Sequence, residues 1–389
     1  MRGFLGQTLA MIAVNIRALT ARGGLLAATV FCVALVVATL MGLEALRQGL
    51  QTTLEQSGRS DVAIIMRGGS QSEINSAVTR EQLDALQGAP RVGKLSPEVS
   101  LVVDGYRRDD GRRANISLRG LSASGISLRR AVRLTAGRWP NPGAAELVIG
   151  GNIARTYRGM EMGAAVSIGT ASWTIVGLFE AGAHVAGSEV WADLTAAQNL
   201  FNRANTVQSV RVRIDGVQSL EALTTFSKAD PRLQLTVKSE AEYYAAQAAR
   251  SSELTQKLAW PLALLMAVGA VVGALNIMQS ALALRAGEIA TFRVIGFSRG
   301  AVCAGLVLEY VLVCIIAGAI GGGAAYLLLD GLSASALAGG TTRIGYTLTF
   351  SLMAFWQGMA LALAIGSLGS IIPAILAGFR PVVANVTDT

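Results

Sequence analysis

Side chains that could carry catalysis are scarce and scattered in this sequence. His184 is the only histidine. With no second histidine or cysteine nearby it supports neither a metal site nor a Ser/His pair, so a solvated or hydrogen-bonded loop role is expected. Cys32, Cys303 and Cys314 all lie in apolar runs, where a free thiol acts as a small buried hydrophobe. Carboxylates are dispersed without acid/base pairing. No P-loop signature of the form GxxxxGK(S/T) occurs, so any ATP, with its magnesium, must be held by a partner. No cofactor or metal is expected in this chain.

The segment with a chemical pattern is 285–299, RAGEIATFRVIGFSR. Glu288 stands three residues after Arg285, a helix-pairing distance. Ile289, Phe292 and Ile295 follow at steps of three and give a short apolar ridge. Arg293 and Arg299 are charged flanks, and Gly296 and Ser298 break the helix. Such a peg fits a groove in a partner protein; an interfacial helix lying on lipid is the competing reading. Close by is Glu309, a carboxylate in an apolar stretch, where an acid costs roughly 2.5–3.5 kcal/mol at a span's centre. It is expected to be partly solvated or paired with Arg285 or Asn276, in a structural or coupling role.

Four apolar runs must position these groups. Apolar residues make up 52% of the 389 and charged residues 15%, against about a quarter charged in ordinary globular chains. The runs are 25–43, 258–284, 301–329 and 347–377, each close to or above the roughly 20 residues that cross a bilayer core. Residues 25–43 are expected to be a retained anchor, because cleaved signal segments have shorter apolar cores of roughly 7–15 residues. Gly269 and Gly273 are four apart, as are Gly318 and Gly322, a spacing that lets helices approach closely in lipid.

Arginines set the orientation. Residues 1–24 carry three and no acid, and 285–300 carry three against Glu288. Both segments therefore belong in the cytoplasm. Four spans then put both termini inside, 44–257 outside, a short loop 330–346 outside and a tail 378–389 inside. Leu5, Leu9, Ile12, Ile16 and Leu19 mark an interfacial amphipathic helix against membrane lipid within 1–24. The net charge of +8 lies partly at this cytoplasmic edge. The cluster Arg107, Arg108, Arg112 and Arg113 is interrupted by Asp109 and Asp110 and reads as a hairpin tip, so nucleic acid is excluded as a partner.

Residues 44–257 read as an extracytoplasmic α+β domain between the first two spans. Its ends, with Leu46, Leu50 and Leu54 on one side and 239–257 on the other, suggest paired stalk helices. Strand patterns fall at 61–66, 98–103, 115–118, 172–179, 207–214 and 233–238, and helical patterns at 79–86, 195–201 and 219–226. Strand–helix–strand series at 61–103 and 207–238 suggest a core split by a mainly β insertion over about 107–200.

The pattern RxxEIxxxRxxGxSR between a second and third span resembles the coupling loop of the FtsX/MacB-like ABC transporter permeases, also called type VII or mechanotransmission systems. Leu308-Glu309, Gly318 and 321–323, Pro373-Ala374 and Arg380-Pro381-Val382 are similar to other stretches of that family. GRWPNPGAAELVIGGNIA (137–154), WTIVGLF (173–179) and SEVWADL (188–194) are similar to its periplasmic core domain. Gly287 departs from the family, which often has a basic residue there. The resemblance implies an inner-membrane, multi-pass subunit, dimeric with itself or a sister permease and bound to separate ATPase subunits. Residues 285–299 would be the coupling helix, and ATP-driven movement of the outer domain would serve efflux, with a periplasmic adaptor, or lipoprotein and amphiphile extraction. An FtsX-like regulator that signals to a periplasmic partner without transport is the alternative.

Overall fold

The computed structural model describes residues 6–8, 11, 23–90, 93–338 and 342–379. The amphipathic helix expected over 1–24 and the tail at 378–389, with Arg380-Pro381-Val382, lie almost wholly outside the described residues. In chain order the helices are α1 (Gly23–Ser57), α2 (Arg80–Gln87), α3 (Ala123–Leu128), α4 (Gly151–Thr156), α5 (Leu194–Leu200), α6 (Val217–Ala229), α7 (Glu240–Leu284), α8 (Ala286–Val294), α9 (Arg299–Leu329) and α10 (Leu352–Phe379). The strands are β1 (Val62–Arg67), β2 (Val78–Thr79), β3 (Leu95–Tyr106), β4 (Arg113–Leu121), β5 (Arg133–Gly137), β6 (Glu146–Gly150), β7 (Ala165–Ile168), β8 (Ala171–Glu180), β9 (Glu189–Asp193), β10 (Thr206–Val207), β11 (Ser209–Arg213), β12 (Leu235–Ser239), β13 (Ser333–Ala338) and β14 (Thr342–Thr347). They form two units, a helical one (1–48, 254–332, 348–389) and a sheet unit (49–253, 333–347).

Among the described residues of the helical unit and the helices that enter it, four segments are long and apolar enough to cross a membrane: Leu26–Ser57, Pro261–Leu284, Arg299–Leu329 and Leu352–Phe379. Their shared core joins Val33, Val37 and Met41 of α1, Met278 and Leu282 of α7, Leu306, Tyr310 and Cys314 of α9, and Ala362 and Ile365 of α10. Small residues permit the close approaches. A β-carbon on Gly318 would lie 2.8 Å from that of Ala362, and one on Gly322 would lie 3.0 Å from Met41 Sδ. Hydropathy starts the fourth span at residue 347, but Thr347 ends a strand. The helix begins only at Leu352, where the Ser351 hydroxyl accepts from Ala354 N at 3.1 Å. A serine cap resets the helix start.

In the sheet unit, β12-β1-β11-β3-β4-β9-β6-β8-β5 form one sheet with β7 paired to β8. The expected α+β domain is present, with one correction to its plan. The insertion does not begin at 107. It begins inside β3, whose residues from Leu95 to Glu98 pair with β11 and whose residues from Val99 to Tyr106 pair with β4. One strand serves both halves, and no composition break marks such a join. The arginine cluster does cap the β3–β4 hairpin, with Arg107 N donating to Arg112 O at 3.0 Å.

Local signals worked where caps were explicit. Thr79 and Gln82 form a reciprocal capping box on α2, and Asp193 accepts from Thr195 N and Ala196 N at the start of α5. The short loop at 330–346 is instead a β-hairpin, β13 paired with β14, that belongs to the sheet unit. SASALA is built of residues with weak strand preference and TRIGYT is only six residues long beside a long apolar run, so neither announces a strand.

Candidate coupling site

Arg285 sits between α7 and α8, and its side chain turns inward. Its Nη1 donates to Glu309 Oε2 at 2.9 Å and to Oε1 at 3.2 Å, and its Nε reaches Glu288 Oε2 at 3.3 Å. Arg285 and Glu309 are both buried. Of the two partners expected for Glu309, Arg285 is the one found. Asn276 is exposed, and its carbonyl accepts from Ser280 Oγ at 3.0 Å. Pairing explains how α9 carries an acid, since an unmatched buried charge costs several kcal/mol. The pair ties the start of α8 to the third span.

Further links hold the same side of the segment. Arg293 Nη1 donates to Gly378 O at 2.9 Å. Phe292 and Phe297 meet edge to face at 5.5 Å. Ser298 caps α9 by accepting from Ala301 N at 3.2 Å, and its own N donates to Gln7 Oε1 at 3.1 Å. Gly296 turns the chain with φ +104, a conformation that other residues rarely adopt. Arg299 lies over the Phe379 ring at 5.4 Å.

These anchors correct the expected ridge. Ile289 is buried in the helical core and Phe292 packs against it, so neither is presented outward. The bare face is Gly287, Glu288, Thr291 and Val294, at steps of one, three and three, continued by Ile295. Val294 and Ile295 are 70% and 69% exposed. Steps of three drift around a helix of 3.6 residues per turn, so Ile289, Phe292 and Ile295 do not share one face. A β-carbon on Gly287 would meet nothing within 4 Å, so the glycine leaves that face low. The paired glycines also part company. Gly318 and Gly322 pack within this chain, while a β-carbon on Gly269 or Gly273 would meet nothing within 4 Å.

The sheet unit holds a cluster that the sequence does not reveal. Arg119 reaches Glu73 at 2.9 Å, Glu98 at 3.0 Å and Glu189 at 2.7 Å. Arg129 reaches Glu98 at 2.7 Å. Arg211 reaches Glu73 and Glu240 at 3.0 Å each, and also Glu98. All seven groups are buried. Burial alone would raise the Glu189 carboxyl, but Arg119 and Arg129 outweigh it and bring it down to about 2. Glu73 and Glu98 are lowered against the same burial by Arg119, Arg129 and Arg211. Nearby, burial lowers His184 to about 4, and its Nδ1 accepts from Ala186 N at 3.1 Å. The only signal in the sequence is charge inside strand-like runs such as SVRVR and SLRGL.

Residues 26–225 match the family model of the MacB-like periplasmic core domain, and residues 261–382 match that of the FtsX-like permease C-terminal region. No curated protein matches the chain. The periplasmic region of MacB from Actinobacillus actinomycetemcomitans is similar over 48% of this chain and 92% of its own, at 13% identity and TM-score 0.38. The extracellular domain of the noncanonic ABC-type transporter YknZ from Gram-positive bacteria is similar over 46% of this chain and 99% of its own, at 16% identity and TM-score 0.36. A chain with four span-capable helices, a MacB-like domain after the first and an FtsX-like region over the rest belongs to the FtsX/MacB-like family of ABC permeases.

Proposed function

We propose that this chain is the membrane subunit through which a separate ABC ATPase, holding ATP and magnesium, moves the extracytoplasmic domain. It works in the inner membrane with both termini cytoplasmic, as a homodimer or beside a sister permease, and the driven movement serves efflux or extraction of amphiphiles outside the bilayer. A periplasmic adaptor belongs to the efflux form. One observation carries the reading. Helix α8 is tied to the spans by Arg285–Glu309 and Arg293–Gly378 and leaves Val294 and Ile295 bare on its other side. Two large apolar side chains exposed beside a charged, polar helix face suit a protein groove better than open solvent.

The test uses the full chain co-expressed with the ATPase. Ile295→Asp combined with Val294→Asp should cut co-purified ATPase at least tenfold, while Leu332→Asp, exposed elsewhere, should not. Full retention of the ATPase by the double variant overturns the reading. So does a cysteine at Thr291 that is labelled from outside the cell.

A further inference from the structure

Across β11, β3, β4 and β9 the side chains alternate between two buried layers. Val210, Val212, Val99, Leu118 and Val190 face the main apolar core. Glu98, Arg119, Glu189 and Arg211 point the other way into the ionic cluster. Helix α3 covers part of that second layer through Arg129, and the rest of the cover comes from the points where the chain enters and leaves the sheet unit. Ser57, the last residue of α1, accepts from Val185 N at 2.8 Å. Glu240, the first residue of α7, accepts from Arg211 at 3.0 Å. Tyr243 Oη accepts from Glu73 N at 3.4 Å. From the β-hairpin, Gly345 N donates to Ser188 Oγ at 2.9 Å.

By sequence, each of these elements continues into a membrane-spanning helix. Two of them, α1 and the hairpin, grip the same turn, Val185–Ser188, which runs straight into β9. The covering layer also fits loosely. A cavity of about 50 Å³ lies among Ser100, Ser117, Arg119, Tyr243, Gln247 and Ile344, room for roughly three to five waters at about 10–15 Å³ each. Ser96 Oγ and Gln208 Nε2 in this layer have no protein partner among the described residues.

We propose that this polar layer is a sliding interface, and that the Val185–Ser188 turn carries displacement of the span ends into the inserted strands. Apolar cores resist sliding because each side chain sits in one shaped hole. Here a cap that shifts exchanges one charged or water-mediated contact for another. Arg211 that loses Glu240 still holds Glu73 and Glu98, so only the Glu240 carboxylate has to exchange its partner for water or another donor. The sliding stands on the sheet unit alone; that an ATPase drives it rests on the permease reading.

A reversible lock tests this. A β-carbon on Gly345 would lie 3.3 Å from Ser188 Oγ, near enough for Ser188→Cys with Gly345→Cys to bridge. The full chain, with Cys32, Cys303 and Cys314 replaced by alanine, is placed in lipid nanodiscs and carries non-cysteine spin labels at Ser127 and Ala249, both exposed. Reduced protein should give a broad label-to-label distance distribution that shifts when ATPase and a non-hydrolysable ATP analogue are added. Oxidation should narrow it, abolish the shift and lower ATP turnover at least tenfold, all restored by reductant. Should the double cysteine variant fold poorly, Ser188→Ala, which removes the Gly345 acceptor, should broaden the distribution further. Distributions unchanged by oxidation, or by Ser188→Ala, overturn the sliding interface. A chain that narrows on oxidation but retains no ATPase supports the interface and overturns the permease reading.

Discussion

The two buried layers of the outer sheet are made by the same four strands and obey opposite rules. Leu118 and Arg119 are neighbours in β4, yet Leu118 packs in the apolar core and Arg119 meets three glutamates on the reverse side. On the apolar side, position is set by shape, and a changed side chain leaves a hole. On the ionic side, position is set by partners, several of which are shared. Glu98 serves Arg119, Arg129 and Arg211 together. The contrast shows that one sheet can present a surface fixed by shape on one side and a surface of shared, exchangeable partners on the other.

Arg119→Ala should have the largest effect, because it strands carboxylates rather than emptying space. Glu98 keeps Arg129 and Arg211, and Glu73 keeps Arg211, but among the described residues Glu189 is left with one hydrogen bond, from Trp191 Nε1 at 2.8 Å, and with the charge of Arg129 nearby. Removing one member of a buried charge set costs about 3–5 kcal/mol, read as a lower denaturation midpoint of the full chain in detergent. Adding Glu189→Gln to that variant should restore at least half of the loss, since the stranded charge is then gone. Leu118→Ala, its apolar counterpart, should cost about 2–5 kcal/mol and should not be rescued by any change across the sheet. A Glu189→Gln that deepens the Arg119→Ala defect would break the comparison.

The two layers also differ in how far the sequence discloses them. Strand runs near β1 and β8 are visible as continuous apolar, β-branched and aromatic stretches. Those near β11 and β12 are visible because apolar residues alternate there, and alternation normally means one buried face and one wet face. That rule is what hides the ionic layer. Glu98, Arg119, Glu189 and Arg211 occupy the positions a solvated face would occupy, and only the fold shows that α3, the start of α7 and the hairpin lie over them. Their positions in sequence, from Glu73 to Glu240, give no local pairing to detect. The coupling segment is legible in its motif, but its orientation is not. Ile289 reads as part of a docking ridge, whereas the inward pull of Arg285 on Glu309 buries that side of α8 and turns Val294 outward.

Acid should weaken the ionic layer and leave the apolar one untouched. His184 is held at about 4, below its usual 6.5, so an unfolded chain takes up that proton first and stability falls as pH drops from about 6.5 to 4. Glu189, held at about 2 instead of 4.5, adds a second loss between about 4.5 and 2, joined by Glu73 and Glu98. Their contribution is complete above pH 4.5, and each unit of displacement is worth about 1.4 kcal/mol. His184→Asn, which can still accept from Ala186 N as an N-cap, should flatten the upper limb and spare the lower. Unchanged slopes between pH 6.5 and 4 in that variant would show that the histidine is not the group responsible.

The smallest effect is expected where the same ion-pair chemistry lies in water. Arg113 pairs with Asp104 across the β3–β4 hairpin, and both side chains are well exposed, at 68% and 47%. Solvent screening and side-chain entropy offset most of the attraction at such a site. Arg113→Ala should therefore leave the denaturation midpoint within measurement error and leave the pH profile unchanged, although Arg113 is only six residues from Arg119 on the same strand. If Arg113→Ala instead approached the Arg119→Ala loss, burial would not be the property that separates these two pairs, and the sheet's reverse side would owe its character to charge alone.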